Sequence, residues 1–188
     1  GAATPVYDMR VAGDAGGRLD FSAWTQRVGQ LAWIVDAGAL DDALAQAVRF
    51  APHVTIAGPG VAPQTSLLAV CEGRASATRD QLGVNFERRP YGHSGVAARL
   101  SSTLPHQSRA WQWFGAPDIL ALLPFDRPEP GRSFGLVWSV PEARAQALMA
   151  MPAEEFEAEL RAATQGQAGE LRLASERASW PLALARAH

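Results

Sequence analysis

The spacing of apolar positions changes along the chain, and each spacing predicts a kind of element. Apolar residues recur at helical spacing over residues 40–50, with Pro52 just beyond, and predict an amphipathic helix. A turn is expected at 58–60. Short continuous apolar runs predict buried strands at 31–35 and 66–70, and a further strand is expected at 53–57. A glycine-rich loop predicts an early β-hairpin between the segments at 9–11 and 18–21.

Beyond residue 84 the sequence is rich in β-branched and aromatic residues, which predicts strands at 84–89, 95–101, 109–114, 119–125 and 133–140. A proline- and glycine-containing hairpin loop is expected at 126–131. Pro141 and Pro152 stand at helix-opening positions and predict helices over 142–151 and 153–164, the second ended by Gly166. A last strand is expected at 171–173. The predicted fold class is α+β, a largely antiparallel sheet with covering helices, plus an earlier strand-helix-strand piece.

Composition narrows the function classes. The 188 residues suffice for one ordinary domain, and 47% hydrophobic with 19% charged residues is typical of soluble globular proteins. The net charge is −2 and the basic residues are scattered, which argues against nucleic-acid binding. All 17 basic residues are arginine, which excludes Schiff-base chemistry on lysine and a P-loop lysine. No apolar run reaches the length of about 20 residues that a membrane helix needs.

Cysteine and histidine usage argues against a metal centre. Cys71 is the only cysteine, so neither a disulfide framework nor a cysteine zinc site is available, and a reducing, cytoplasmic compartment is the simplest interpretation. The histidines, at positions 53, 93, 106 and 188, lack the spacing of metal ligands. No serine stands in a G-x-S-x-G elbow, which makes a hydrolase triad a poor hypothesis.

The stretch CEGRASATR, residues 71–79, is the first candidate site. In its structural interpretation Glu72 caps a turn, Gly73 supplies a positive φ and the arginines lie on a solvated surface. In its functional interpretation Arg74 and Arg79 meet a phosphate or carboxylate, for which guanidinium groups are well suited. A single helical turn is expected at 78–82, with a capping box between Thr78 and Gln81 and with Gly83 as its end.

Aromatic residues in the predicted strands suggest a second candidate site. Trp111 and Trp113 should point to one face of a strand, with Gln112 and Phe114 on the other. A sheet with apolar residues on both faces must be covered on both. One of the two covers could be a hydrophobic ligand.

Several segments together resemble one family, the p-hydroxybenzoate hydroxylase-like FAD-dependent monooxygenases. Residues 67–79 are similar to the family's D-G-x-x-S-x-x-R motif, with Glu72 in place of the aspartate, followed by Gly73, Ser76 and Arg79. The similarity to the ubiquinone-biosynthesis branch, the 2-polyprenyl-6-methoxyphenol hydroxylases, lies in the segments at 9–11, 31–35, 91–92, 105–106, 110–114, 120–125 and 137–139.

The resemblance implies that FAD, reduced by NAD(P)H, and O2 together hydroxylate an activated phenol ring, here a polyprenylated phenol. It also implies that Glu72, Gly73, Arg74, Ser76 and Arg79 lie near the cofactor. The family's G-x-G-x-x-G does not occur in this sequence, and its Gly-Asp pair, expected further on than the motif at 67–79, does not occur there, so the chain is expected to be the central part of such an enzyme. By itself it should bind FAD weakly or not at all, and it should be inactive alone.

The expected division assigns residues 1–36 and 84–188 to a substrate-binding sheet domain, and 37–83 to part of the FAD domain. The expected substrate wall, taken from alternation within strands, consists of Gln112, Phe114, Leu122, Pro124 and Trp138. Peripheral association with the inner membrane, or with other ubiquinone-biosynthesis proteins, would suit a prenylated substrate. Two alternatives stay open: a flavin hydroxylase of a small aromatic acid, which an arginine in the pocket would favour, and a non-catalytic binding or assembly module.

Overall fold

The computed structural model describes residues 2–58 and 65–188. The strands within these residues are β1 Ala3–Val6, β2 Asp8–Gly13, β3 Arg18–Ser22, β4 Ala32–Val35, β5 Phe86–Ser102, β6 Arg109–Gly115, β7 Asp118–Phe125, β8 Ser133–Pro141, β9 Leu171–Leu173 and β10 Ala178–Ala187. The helices are α1 Ala23–Gln26, α2 Ala37–Arg49, α3 Ala77–Gln81, α4 Glu142–Ala150 and α5 Ala153–Thr164.

The main sheet has the strand order β10-β5-β8-β7-β6-β2-β3, and β9 adds to β5. Its pairs are antiparallel except for β2 with β6, which run parallel. A separate two-stranded ribbon joins β1 and β4. The predicted α+β class with a largely antiparallel sheet is confirmed.

The hydrophobic core lies between one face of the sheet and the helices α4 and α5. Phe156 and Leu160 of α5 are fully buried there, and the Phe156 ring lies 6.2 Å from that of Trp138 on β8. Pro141 and Pro152 stand at the N-caps of the two helices, where a missing N–H costs nothing. The prolines therefore start the helices where the sequence predicted, and Gly166, with a φ of 66°, follows the end of α5.

A buried polar cluster ties the ribbon to the loop between β7 and β8. The Asp126 carboxylate accepts hydrogen bonds from Thr4 at 3.1 Å, His106 at 3.3 Å and the Gly131 N–H at 2.9 Å. The Ser108 N–H donates to His106 Nδ1, which leaves Nε2 to donate to Asp126. Burial raises the pKa of Asp126, but these three donors outweigh it and hold that pKa below its ordinary value.

Several local predictions are confirmed, among them the hairpin of β2 and β3, the helix α2, the loop at 126–131 and the strand β9. The strands predicted at 84–89 and 95–101 are one continuous strand, β5. The strand β10, which pairs with β5 along its length, was not predicted.

Three predicted strands differ in the structure. The run at 31–35 forms β4, which pairs with β1 in the two-stranded ribbon. Trp33 is 52% exposed in this ribbon, so the strand is not buried as predicted. Residues 53–57 and 66–70 form no strand, and Leu67 is 83% exposed. A strand needs a hydrogen-bonding neighbour, and among residues 2–58 and 65–188 none lies beside these two runs. The turn predicted at 58–60 falls largely outside the described residues.

Within the described residues, no helix is long and apolar enough to cross a membrane. The same residues contain no group of three or more histidine, cysteine, aspartate or glutamate side chains placed to hold a metal ion. Cys71 is exposed and carries a free thiol.

Candidate functional site

The Glu72 carboxylate accepts hydrogen bonds from residues that follow it and so organises the candidate turn. Its Oε1 accepts from the Thr78 hydroxyl at 2.6 Å, while Oε2 accepts from the Ser76 hydroxyl at 2.7 Å and the Thr78 N–H at 3.1 Å. The hydrogen bond from the Thr78 hydroxyl, then those from the Ser76 hydroxyl and the Thr78 N–H, lower the pKa of Glu72. Glu72 is therefore an ionised cap, as its structural interpretation expected.

Ser76 is the N-cap of α3. Its hydroxyl accepts from the Arg79 N–H at 3.1 Å, and the helix begins at Ala77. The capping box predicted between Thr78 and Gln81 is therefore wrong, because the helix starts before Thr78. Gly83 follows the helix with a φ of 72°, which confirms its predicted place at the end.

The Arg79 guanidinium folds back over the turn. Its central carbon lies 3.8 Å from the centre of the Phe86 ring, and its two terminal nitrogens donate to the carbonyls of Gly73 at 3.4 Å and Arg74 at 3.2 Å. Gly73 has a φ of 77° with open space around the position of a Cβ, and Arg74 is exposed. The outer surface of the turn is thus formed by Gly73 and Arg74, while Glu72 and Arg79 hold its shape.

The substrate wall predicted from alternation does not lie on one face of the sheet. Trp111 pairs with Leu122, and Leu122 with Leu136, so these side chains share the face that α4 and α5 cover. Leu122, Pro124 and Trp138, three members of the predicted wall, are buried on that face, so the prediction that they share one face with Gln112 and Phe114 is wrong. The register of neighbouring strands, which the sequence does not show, decides which alternate set meets the helices.

Gln112 and Phe114 lie on the opposite face, which we call the open face. Phe114 is 42% exposed, and Ile119, its cross-strand partner, is 38% exposed. Phe21 and Leu19 of β3 extend this apolar surface beyond β2.

The middle of the open face is a row of mostly small side chains, which we call the central floor. Ala97, Val137 and Ala121 pair in sequence across β5, β8 and β7, and Gln112 of β6 continues the row. Beside it, Gly135 has no atom within 4 Å of the position of a Cβ. Only the pairing register identifies this row, so the sequence could not indicate Ala97, Ala121 or Val137.

Trp180 and Arg99 border the central floor. The Trp180 indole lies over Gly95, where an added Cβ would come within 3.0 Å of the ring. Arg99 pairs across the strands with Gly135, stacks 4.1 Å from the centre of the Phe125 ring and donates to Asp36 at 2.8 Å. The floor is thus bounded by an indole on the β10 side and by a paired guanidinium at one end.

The structure has the fold of the FAD-dependent monooxygenases. It superposes on HpxO of Klebsiella pneumoniae, solved with FAD and uric acid, with a TM-score of 0.60 and 17% identity, covering 96% of this chain and 52% of HpxO. No family model matches the sequence.

In sequence the chain is similar to ubiquinone hydroxylases, which confirms the resemblance found from its motifs. It is 25% identical to the ubiquinone hydroxylase UbiL of Rhodospirillum rubrum, covering 100% of this chain and 47% of UbiL. It is 35% identical to the rat mitochondrial ubiquinone biosynthesis monooxygenase COQ6, covering 55% of this chain and 21% of COQ6. The chain therefore spans less than half the length of these two relatives.

Proposed function

We propose that the full-length protein containing this chain is an FAD-dependent aromatic hydroxylase of ubiquinone biosynthesis, and that this chain supplies its substrate-binding sheet. The open face is the observation that carries the proposal. It is an exposed apolar surface on a sheet whose other face is buried by helices, and such surfaces usually mark binding sites. Similarity to UbiL over the whole chain supports ubiquinone biosynthesis as the context.

The proposed substrate is a polyprenylated phenol, hydroxylated with NAD(P)H and O2. The small side chains of the central floor leave space for a flat ring, and Phe21, Phe114 and Ile119 offer apolar surface to a prenyl tail. The chain's own contribution is to bind and orient the ring and to exclude water. Because a prenylated phenol partitions into lipid, we expect the protein to work at the membrane surface, with access to other proteins of the pathway.

FAD, when bound, supplies the oxygen chemistry. The turn fits one edge of such a cofactor, because Gly73 offers an unobstructed backbone and Arg74 an exposed guanidinium. Glu72, Ser76 and Arg79 act through the turn, which they hold in shape. In this proposal residues 37–83 belong to the FAD domain, and residues 1–36 and 84–188 form the substrate domain.

A hydroxylase of a small aromatic acid is the second candidate, and the position of Arg99 favours it. Arg99 stands at the end of the central floor, where it could meet a substrate carboxylate. Its guanidinium already donates to Asp36, however, and Asp36 also caps α2 by accepting the Ala39 N–H at 2.9 Å. A carboxylate ligand would have to displace this partner, so a neutral phenol is the better fit.

The test uses the purified full-length protein with FAD. We expect a short-chain prenylated phenol to stimulate NAD(P)H oxidation and to yield a product one oxygen atom heavier by mass spectrometry. 4-Hydroxybenzoate should stimulate much less. Phe114→Ala should raise KM for the prenylated phenol about tenfold, because it removes much of one aromatic side chain from the open face.

Trp24→Ala is the matched control, since Trp24 is 89% exposed on α1 and lies outside both the sheet and residues 37–83. It should leave KM unchanged. Preference for 4-hydroxybenzoate, with loss of that preference in Arg99→Met, would establish the second candidate. A full-length protein that binds no FAD would support the non-catalytic module.

A further inference from the structure

Arg99 places a positive charge at the end of the central floor. The residue opposite it on β8 is Gly135, which has no side chain, so the guanidinium has room to lie along the sheet. Its central carbon lies 4.1 Å from the centre of the buried Phe125 ring, a contact that fixes its position. A guanidinium at this place would attract the carboxylate of an aromatic acid, because the two groups form strong, charge-assisted hydrogen bonds.

Asp36 supplies the opposite charge. Its Oδ2 accepts from the Arg99 guanidinium at 2.8 Å, and its side chain is 14% exposed. The residue is held from two further directions: Oδ1 accepts the Ala39 N–H at 2.9 Å at the start of α2, and the Asp36 N–H donates to the Ala2 carbonyl at 2.9 Å. The positive charge of Arg99 is therefore neutralised by a counter-ion whose position is fixed.

The charge of Asp36 exceeds what its role as a helix cap requires. Asparagine and aspartate are about equally good N-caps, because the cap needs only a side-chain oxygen that accepts a backbone N–H. The hydrogen bond from the Ala39 N–H lowers the pKa of Asp36, burial acts against this, and the charges of Arg99 and Arg127 lower the pKa further. Asp36 is therefore ionised at neutral pH, with its charge directed at Arg99.

We propose that Asp36 is a specificity-determining residue: by neutralising Arg99, it keeps aromatic acids off the central floor and leaves the floor to neutral phenols. The inference rests on the proposed function in one respect, since it takes the central floor to be the place of the aromatic ring. A carboxylate that approached Arg99 would be repelled by Asp36 and would have to displace it from the guanidinium. Asp36→Asn, which keeps the helix cap, should therefore let the floor accept an acid.

The test compares two ligands that differ in charge but hardly in shape, 4-hydroxybenzoate and its neutral amide, 4-hydroxybenzamide. Ligand-observed NMR titration of the purified full-length protein measures their dissociation constants without turnover. We expect the unmutated protein to bind the amide more tightly, a comparison that needs no variant. Asp36→Asn should bind 4-hydroxybenzoate about tenfold more tightly than the unmutated protein does, as one charge-assisted hydrogen bond allows, and should change amide binding less than about twofold.

Glu155→Gln is the matched control. It also removes one negative charge, but Glu155 is exposed on α5, the helix that covers the other face of the sheet. Both dissociation constants should stay unchanged, which separates the local effect of Asp36 from a change in net charge. The double variant Asp36→Asn/Arg99→Met should lose the gain, because no guanidinium remains to bind the acid. Ala121→Phe, which fills the central floor, should weaken both ligands and so locate them there.

Equal or tighter binding of 4-hydroxybenzoate by the unmutated protein would overturn the inference, because Asp36 would then not exclude acids. An unchanged ratio of the two dissociation constants in Asp36→Asn would overturn it too, as would a gain that survives in the double variant. If neither ligand bound to any variant up to about 10 mM, the central floor would be refuted as a ring site, and this inference with it. A changed preference in Asp36→Asn, with no phenol hydroxylated by the full-length protein, would instead support the role of Asp36 and refute the proposed function.

Discussion

Ala121 and Leu122 are neighbours on β7 whose side chains point to opposite faces of the sheet, and their substitution should have opposite consequences. Leu122 is fully buried between Trp111 and Leu136 of the adjacent strands. Ala121 lies in the central floor of the open face. We expect Leu122→Ala to lower the free energy of unfolding, and Ala121→Phe to impair substrate use with little effect on stability.

The magnitude for Leu122→Ala follows from its burial. The substitution removes three buried carbon atoms at about 0.8 kcal/mol each, or about 2.4 kcal/mol, from the transfer term. The cavity left between two large neighbours adds to this, so the expected loss is about 3 kcal/mol. Ala121→Phe adds a ring to a position that is only half-buried, so its cost should stay below about 1 kcal/mol.

Urea denaturation followed by tryptophan fluorescence measures both values, and NAD(P)H oxidation with a prenylated phenol measures the effect on function. Ala121→Ser is the control, because it keeps the floor open and should preserve activity. The assignment of the two faces would be refuted if Ala121→Phe destabilised the protein as much as Leu122→Ala. A fully active Ala121→Phe variant would instead refute the central floor as the place of the ring.

Three further predictions concern the polar clusters and one close contact. Asp126→Ala should lower the free energy of unfolding by about 3 kcal/mol near neutral pH, because it leaves three donors without an acceptor. The loss should shrink at acid pH, where pH falls through the lowered pKa of Asp126. Equal losses at pH 7 and pH 3 would contradict this. Glu72→Gln should lower the free energy of unfolding at pH 7, because the lowered pKa of Glu72 makes its contribution fully present above the ordinary glutamate pKa. The difference from the unmutated protein should shrink as pH falls below that ordinary value and vanish below the lowered folded value; a difference in urea curves that grows with acid would contradict this. Gly95→Ala should lower the free energy of unfolding by about 1 kcal/mol or more, because the added Cβ displaces the Trp180 ring. Gly135→Ala meets no neighbouring atom and should lower it by less. Equal values from urea denaturation would exclude the close contact at Gly95.

The part of the fold from β5 to β9 could be predicted because its signals are local. Pro141 and Pro152 start α4 and α5, and the loop at 126–131 separates two strands that pair directly. The exposed runs at 53–57 and 66–70 have the same composition as buried strands. Whether a segment is buried and paired depends on the neighbouring segments in the fold, and an apolar run alone does not identify those neighbours.

The candidate turn and the substrate face show a similar contrast. Glu72, Gly73 and Ser76 were identified from a short motif, and their geometry is set by residues within six positions of each other. The predicted substrate wall instead lies on three strands, β6, β7 and β8, and depends on how they pair. Alternation correctly separated Gln112 and Phe114 from Trp111 and Trp113, but the face to which Leu122 belongs follows only from cross-strand register.

The distribution of burial supports the proposed division of the chain. Every member of the main hydrophobic core lies between residues 96 and 171, whereas Ser76 is the only buried residue described between 37 and 83. The apolar side of α2, formed by Leu40, Leu44 and Val48, is exposed to solvent, as the apolar side chains of the open face are. Amphipathic helices are stabilised mainly by packing their apolar side, so α2 requires a further surface. The proposed assignment of residues 37–83 to the FAD domain accounts for this exposure, because the rest of that domain would supply the surface.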